Sequence, residues 1–97
     1  MYDINDYVME CHRIAKEKGF WDASKDIPTK LMLIVTELAE ACEADRKGDT
    51  ENFNEELADT FIRLFDLCGY LDIDIENEIN KKMIRNIKRP KLHGKNY

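Results

Sequence analysis

Ile4, Tyr7, Val8, Cys11, Ile14 and Ala15 follow one another in steps of three, one, three, three and one. That is the spacing of one apolar face on an amphipathic helix, and it predicts a first helix ended by Gly19. GFWD, from Gly19 to Asp22, opens a loop that runs to about Pro28, whose fixed φ and missing N–H suit the first turn of a second helix. That helix is expected to run from about Pro28 to Lys47, with Gly48 as its C-cap. Asp49, Thr50 and Asn52 compete as N-caps for a third helix, with Asn52 and Glu55 at capping-box spacing. Its apolar face is Phe53, Leu57, Phe61, Leu64, Cys68 and Leu71, and it is expected to stop near Gly69 or Tyr70. A fourth helix, entered from Asp72 or Asp74, carries Ile75, Ile79, Met83 and Ile87 and ends before Pro90. No strand-like alternation, internal repeat or low-complexity linker breaks this pattern. The expected fold is all-α, one domain over residues 1–97 with four helices, the two long central ones antiparallel.

The polar positions are as regular as the apolar ones. On the third helix Asn52, Glu56, Asp59, Arg63, Asp66 and Tyr70 recur at four, three, four, three and four, the spacing of a packing seam. Phe53, Leu57, Leu64 and Cys68 flank this stripe on one side, and Ala58, Ile62 and Phe65 on the other, so the helix is expected to be packed on two sides. The second helix is similar. Leu31, Ile34, Leu38 and Cys42 make one surface, Met32 and Ala39 another, and Glu37 and Glu40 lie together away from the first. A chain of 97 residues buries a modest fraction of its surface, so apolar helices with faces to spare predict a bundle completed by oligomerisation, as a homodimer or homotetramer.

Charge changes the picture at one end. The net charge of -5 divides into seven bases and no acid from Lys81 to Tyr97, a charge of +7, and eight bases against twenty acids before it, a charge of -12. A basic tail, residues 88–97, on an acidic body suits either a nucleic-acid contact or closure over an anionic small molecule. The acidic body, and the lack of interleaved aromatics before Tyr97, disfavour nucleic acid. The longest apolar run, LMLIV, is far too short to span a bilayer, and MYDINDYVMEC does not resemble a signal peptide. Cys11, Cys42 and Cys68 are odd in number and without a C-x-x-C pair, which reads as buried reduced thiols and a cytoplasmic protein.

Glu37 with Glu40, and Glu56 with Asp59, form one i, i+3 carboxylate pair on each central helix, and antiparallel neighbours can bring the four together. Left alone they repel and raise some of their own pKa values. Divalent cations remove that repulsion, and oxygen-only donors favour Mg²⁺, with Mn²⁺ as an alternative, over Zn²⁺. A di-iron bundle would need Glu-x-x-His pairs, and neither His12 nor His93 lies three residues after a glutamate. The plainer alternative is that all four carboxylates are solvated helix faces.

Taken together, ELAE at 37–40 and ELAD at 56–59, with fifteen residues between Glu40 and Glu56, resemble the E-x-x-E … E-x-x-D signature of the MazG-like, all-α nucleoside triphosphate pyrophosphohydrolases. The run KMIRNIKRPKLHGK from Lys82 to Lys95 resembles the K-x-x-x-N-x-x-R-P-x-x-H-G tail of small members of that family. GFWD and ELADTFIR match the same subgroup. The resemblance covers Gly19 to about Lys95. One departure is Thr36, where many members carry a further glutamate, which puts in question a metal geometry that needs it.

The resemblance implies Mg²⁺-dependent hydrolysis of an NTP or dNTP to the monophosphate and pyrophosphate, with Glu37, Glu40, Glu56 and Asp59 as metal ligands and catalytic groups. Lys82, Arg85 and Arg89, at helical spacing, can present positive charge to phosphates, and Asn86 adds a hydrogen-bonding group. Arg63 can reach a phosphate, neutralise the carboxylates, or form an intrahelical pair with Asp59. Trp21 can stack on a base or belong to the core, and His93 can contact phosphate or sit in a flexible tail. The competing reading is a non-catalytic helical interaction protein that keeps the same scaffold.

Overall fold

Asp26 accepts a hydrogen bond from the Thr29 backbone N–H and so caps a helix whose second residue is Pro28. This helix, α2, spans Ile27–Lys47 and ends at Gly48, whose φ of 71° is the left-handed C-cap conformation that glycine adopts at little cost. The chain turns at once. Asp49 accepts from Asn52 N–H and starts the next helix, α3, Thr50–Tyr70. Of the three competing N-caps Asp49 takes the position, and Asn52 and Glu55 lie inside the helix. Before these two, α1 spans Ile4–Glu17 with a capping box between Asp3 and Asp6, and after them α4 spans Ile75–Lys88, capped by Asp74. The structure is a computed structural model and describes residues 2–91. Among the described residues every regular element is a helix, and no helix is long and apolar enough to cross a membrane.

α3 is the centre of the molecule. It packs along α2 on one side and along α1 on another, as its two apolar flanks predict. α3 stops at Tyr70, as expected, and Gly69 just before it has a packing role. A Cβ there would sit 2.6 Å from His12 Cβ and 3.2 Å from the Val8 carbonyl oxygen, so glycine is what lets α1 and α3 approach. α4 packs chiefly on α1, held at its first turn where Asn5 Nδ2 donates to Asp74 Oδ1 at 2.9 Å and Ile4 N donates to Glu76 Oε1 at 3.1 Å. Beyond that turn its residues are solvent-exposed except for the half-buried Ile79.

The core differs from the expected faces in an informative way. Ile34, Ala41 and Ala44 of α2 and Leu67 and Cys68 of α3 are buried, together with Val8, Ala15 and Trp21. Of the apolar surface read for the second helix, Leu31 and Leu38 are exposed, and so are Phe61 and Leu64 from the apolar face of α3. Cys42 is exposed and Cys11 half-buried, so only Cys68 is the buried thiol expected of all three. The helix faces turned inward instead carry Glu37 and Glu56.

Candidate active site

Glu37 and Glu56 lie at the contact between α2 and α3, where the polar stripe of α3 turns inward. One carboxylate oxygen from each of Glu37, Glu56 and Asp59 falls within 4.8 Å of the others. Arg63, one turn beyond Asp59, donates from Nε to Glu37 Oε1 at 2.7 Å, so it pairs across the helix interface and not along its own helix with Asp59. Glu40 is exposed and outside this trio, but it stands close enough to Glu56 to interact with it strongly.

Electrostatics within the cluster are uneven. Glu40 and then Glu37 crowd Glu56, burial adds to their effect, and its carboxyl is pushed up to about 7. Burial opposes the charge on Glu37, but the Arg63 guanidinium and hydrogen bonding with the neighbouring carboxyl groups outweigh it and hold Glu37 below the ordinary carboxylate range. If Glu56 is ionised, its Oε2 is buried without any donor. Two states relieve that: a neutral Glu56 that donates to its carboxylate neighbours, or a cation among the three. An all-oxygen donor set with one uncompensated oxygen fits a hard divalent ion, Mg²⁺ or Mn²⁺.

Beside the carboxylates opens a groove of about 530 Å³, walled by Ile14, Ala15, Phe20, Trp21, Leu33, Ile62 and Leu67, with Glu37, Asp59, Arg63, Asp66 and Lys30 as its polar groups. An apolar hollow with a few convergent charged groups is the usual form of a small-molecule site. No protein family, curated protein or solved structure matches this chain.

Trp21 is a wall of the groove and part of the core, 4% exposed. Tyr70 stacks on it at 3.9 Å and 11°, Lys30 Nζ sits 4.4 Å from its ring centroid, and Nε1 donates to Asp66 Oδ1 at 2.8 Å. Both ring faces are thus engaged within the chain, which leaves its edge and not an open face toward a ligand. His12 also donates to Asp66, from Nδ1 to Oδ1 at 2.8 Å. This network of His12, Asp66, Trp21 and Tyr70 ties α1, the loop and α3 together. Sequence reasoning missed His12 and Lys30 altogether, although Asp66 and Tyr70 belong to the polar stripe that it found. Lys30 could have been found only by knowing that the loop folds back, where its Nζ donates to the Phe20 carbonyl oxygen at 2.6 Å.

Lys82, Arg85 and Asn86 are on the exposed length of α4, Arg89 follows as its C-cap, and none of the four lines the groove. They form a basic cluster of their own: Arg89, slight burial and Arg85 together lower the Lys82 pKa. His93 lies outside the described residues.

Proposed function

We propose that this chain hydrolyses nucleoside triphosphates, NTP or dNTP, to the monophosphate and pyrophosphate in a Mg²⁺-dependent reaction, with Mn²⁺ as a substitute. The observation that carries the reading is the inward-facing trio of Glu37, Glu56 and Asp59, with its donorless buried oxygen, at the edge of an apolar groove. The likeness of its acidic motifs and basic run to the MazG-like pyrophosphohydrolases points the same way, as does the antiparallel course we assign to α2 and α3. The three carboxylates would hold the ion, which supplies positive charge to phosphate oxygens and makes water a better nucleophile near neutral pH.

The remaining work falls to the chain's own residues. The groove walls take the base and sugar and keep bulk water from them. A water oxygen would bond to one of the two phosphorus atoms flanking the α–β bridge as that bridge breaks, so that the monophosphate leaves if the β-phosphorus is attacked and pyrophosphate leaves if the α-phosphorus is. Glu40, beside the trio and in contact with water, accepts the proton of the attacking water. Arg63 holds Glu37 ionised and oriented. Lys82, Arg85 and Arg89 answer the charge on the departing phosphates, either as α4 stands or brought there by a neighbouring copy.

A pyrophosphate-release assay over a panel of NTPs and dNTPs, with and without Mg²⁺, tests this directly. Release that needs the metal is expected for at least one triphosphate, and none for any of them defeats the reading. A second reading, a helical interaction protein without turnover, is favoured by one observation: the basic residues of α4 do not line the groove. Mg²⁺ binding without any pyrophosphate release would favour it.

A further inference from the structure

Lys30 and Glu37 on α2, and Asp59 and Asp66 on α3, all line the groove, and each pair is two helical turns apart, about 10 Å along its helix. The groove therefore has two ends. Glu37 and Asp59 of the carboxylate trio mark one; Lys30 and Asp66 mark the other, since the first sits over the Trp21 ring and the second accepts from Trp21 Nε1. At this far end Asp66 is only half used. Its Oδ1 accepts from both Trp21 Nε1 and His12 Nδ1, each at 2.8 Å, which fills the two lone pairs of that oxygen. Among the described residues nothing donates to Oδ2, and that atom is not sealed from solvent as Glu56 Oε2 is. Lys30 does not answer it, because its Nζ is turned to the Phe20 carbonyl oxygen and the Trp21 ring.

We infer that Asp66 Oδ2 reads the base of the nucleotide and selects one with an amino group on the edge that meets it, cytosine or adenine, over the keto-bearing uracil or hypoxanthine. The inference rests on the reading of the groove as a nucleoside triphosphate site and adds which bases that site takes. A nucleoside laid along the groove with its phosphates at the carboxylate end spans about the two helical turns to Asp66, so the base edge arrives there and not the sugar. Chemistry decides the rest. A carboxylate oxygen accepts and does not donate, so it needs an N–H opposite, and an exocyclic amine supplies one. A keto oxygen in the same place sets acceptor against acceptor, and both lose their water with no donor in return. The two bonds to Oδ1 come from α1 and the loop, so three parts of the fold hold the reading oxygen in position.

Two isosteric pairs test this, CTP against UTP and ATP against ITP, in calorimetric titrations of the intact chain with their non-hydrolysable α,β-methylene analogues and Mg²⁺. The amino-bearing member of each pair should bind about tenfold or more tightly than its keto counterpart. Asp66→Asn should invert both preferences: its Oδ1 stays with Trp21 and His12, which are donors, so Nδ2 takes the place of Oδ2 and offers an N–H to the keto oxygen. Loss of Asp66 as a merely structural group would weaken all four ligands alike and leave the ratios where they were. If the variant does not fold, the wild-type ratios decide alone. Pyrophosphate release from the four triphosphates separates this inference from the catalytic reading. Amino-selective binding without release would defeat hydrolysis and leave base selection standing, whereas release with equal affinities within each pair would keep hydrolysis and overturn base selection. Binding of none of the four analogues, or unchanged ratios in a folded Asp66→Asn chain, would overturn it as well.

Discussion

α3 and α4 both carry charged residues at steps of three and four, and the structure treats them in opposite ways. Glu56, Asp59, Arg63 and Asp66 of α3 are buried or half-buried and line or adjoin one groove, while Lys82, Arg85 and Arg89 of α4 stand on an exposed helix that touches chiefly α1. Their apolar neighbours differ as well: α3 is covered by two helices, and Ile87 of α4 is 81% exposed. The lesson is that helical spacing shows which residues share a face, but the number of neighbours a helix has decides whether that face is a site or a solvated surface. A charge between two packed helices is held in place and loses water; the same charge on a one-sided helix keeps both its freedom and its hydration.

The contrast is broken most sharply at the carboxylates. Glu56→Ala or Asp59→Ala should reduce Mg²⁺-dependent pyrophosphate release by about a hundredfold or more. In metal-free buffer the melting temperature should hold or rise, because a crowded like charge has gone. Activity retained with a lowered melting temperature would make these groups structural and erase the distinction from α4.

Arg63→Ala probes the same face through its only described cation across the α2–α3 contact. It takes from Glu37 the guanidinium that compensates its charge, and denaturant unfolding should show a loss of about 1–2 kcal/mol, less than a fully buried pair because the guanidinium is partly exposed. Arg63→Lys should recover part of this but not the Nε geometry.

Neutralising Lys82, Arg85 and Arg89 together asks whether α4 belongs to the site at all. If it serves the triphosphate, apparent affinity for NTP should fall about tenfold, with thermal stability unchanged. Hydrolysis at the unmodified rate would confine the function to α2, α3 and the loop.

A pH series gives the smallest and most specific effect. Glu56 has its folded-state pKa raised to about 7 from an ordinary value of 4.5, so the folded chain binds more protons than the unfolded one between those values. Its stabilising contribution is complete below the lower value and is lost as pH rises through the higher one. Metal-free stability should therefore slope downward from about pH 4.5 to 7 and flatten in Glu56→Gln, while Mg²⁺ affinity should climb over the same interval as the proton leaves. Thermal melts and calorimetric titrations at half-unit intervals would check both signs.

Much of the molecule was legible in the chain itself. Four helices, the Gly48 cap, the stop before Pro90 and the polar seam from Glu56 to Asp66 all follow from local chemistry: turn residues, capping side chains and the 3.6-residue period act within a few positions of one another. The convergence of Glu37 with Glu56 and Asp59 was foreseeable because a two-residue turn leaves α3 little choice but to pack beside α2. Other features depended on which neighbour lies across the gap. Leu31, Leu38, Phe61 and Leu64 belong to apolar faces by their spacing, but which faces are covered was open: α2 and α3 bury those with Glu37 and Glu56 and leave these four outside. The helix end near Gly69 was legible, but not the close approach of His12 that calls for glycine there, and Trp21 stood open between base stacking and the core until Tyr70 and Lys30 took its faces. Local sequence determines each helix and the composition of its stripes; the angle at which a stripe meets its neighbour depends on side chains far along the chain, and only the tertiary structure decides it.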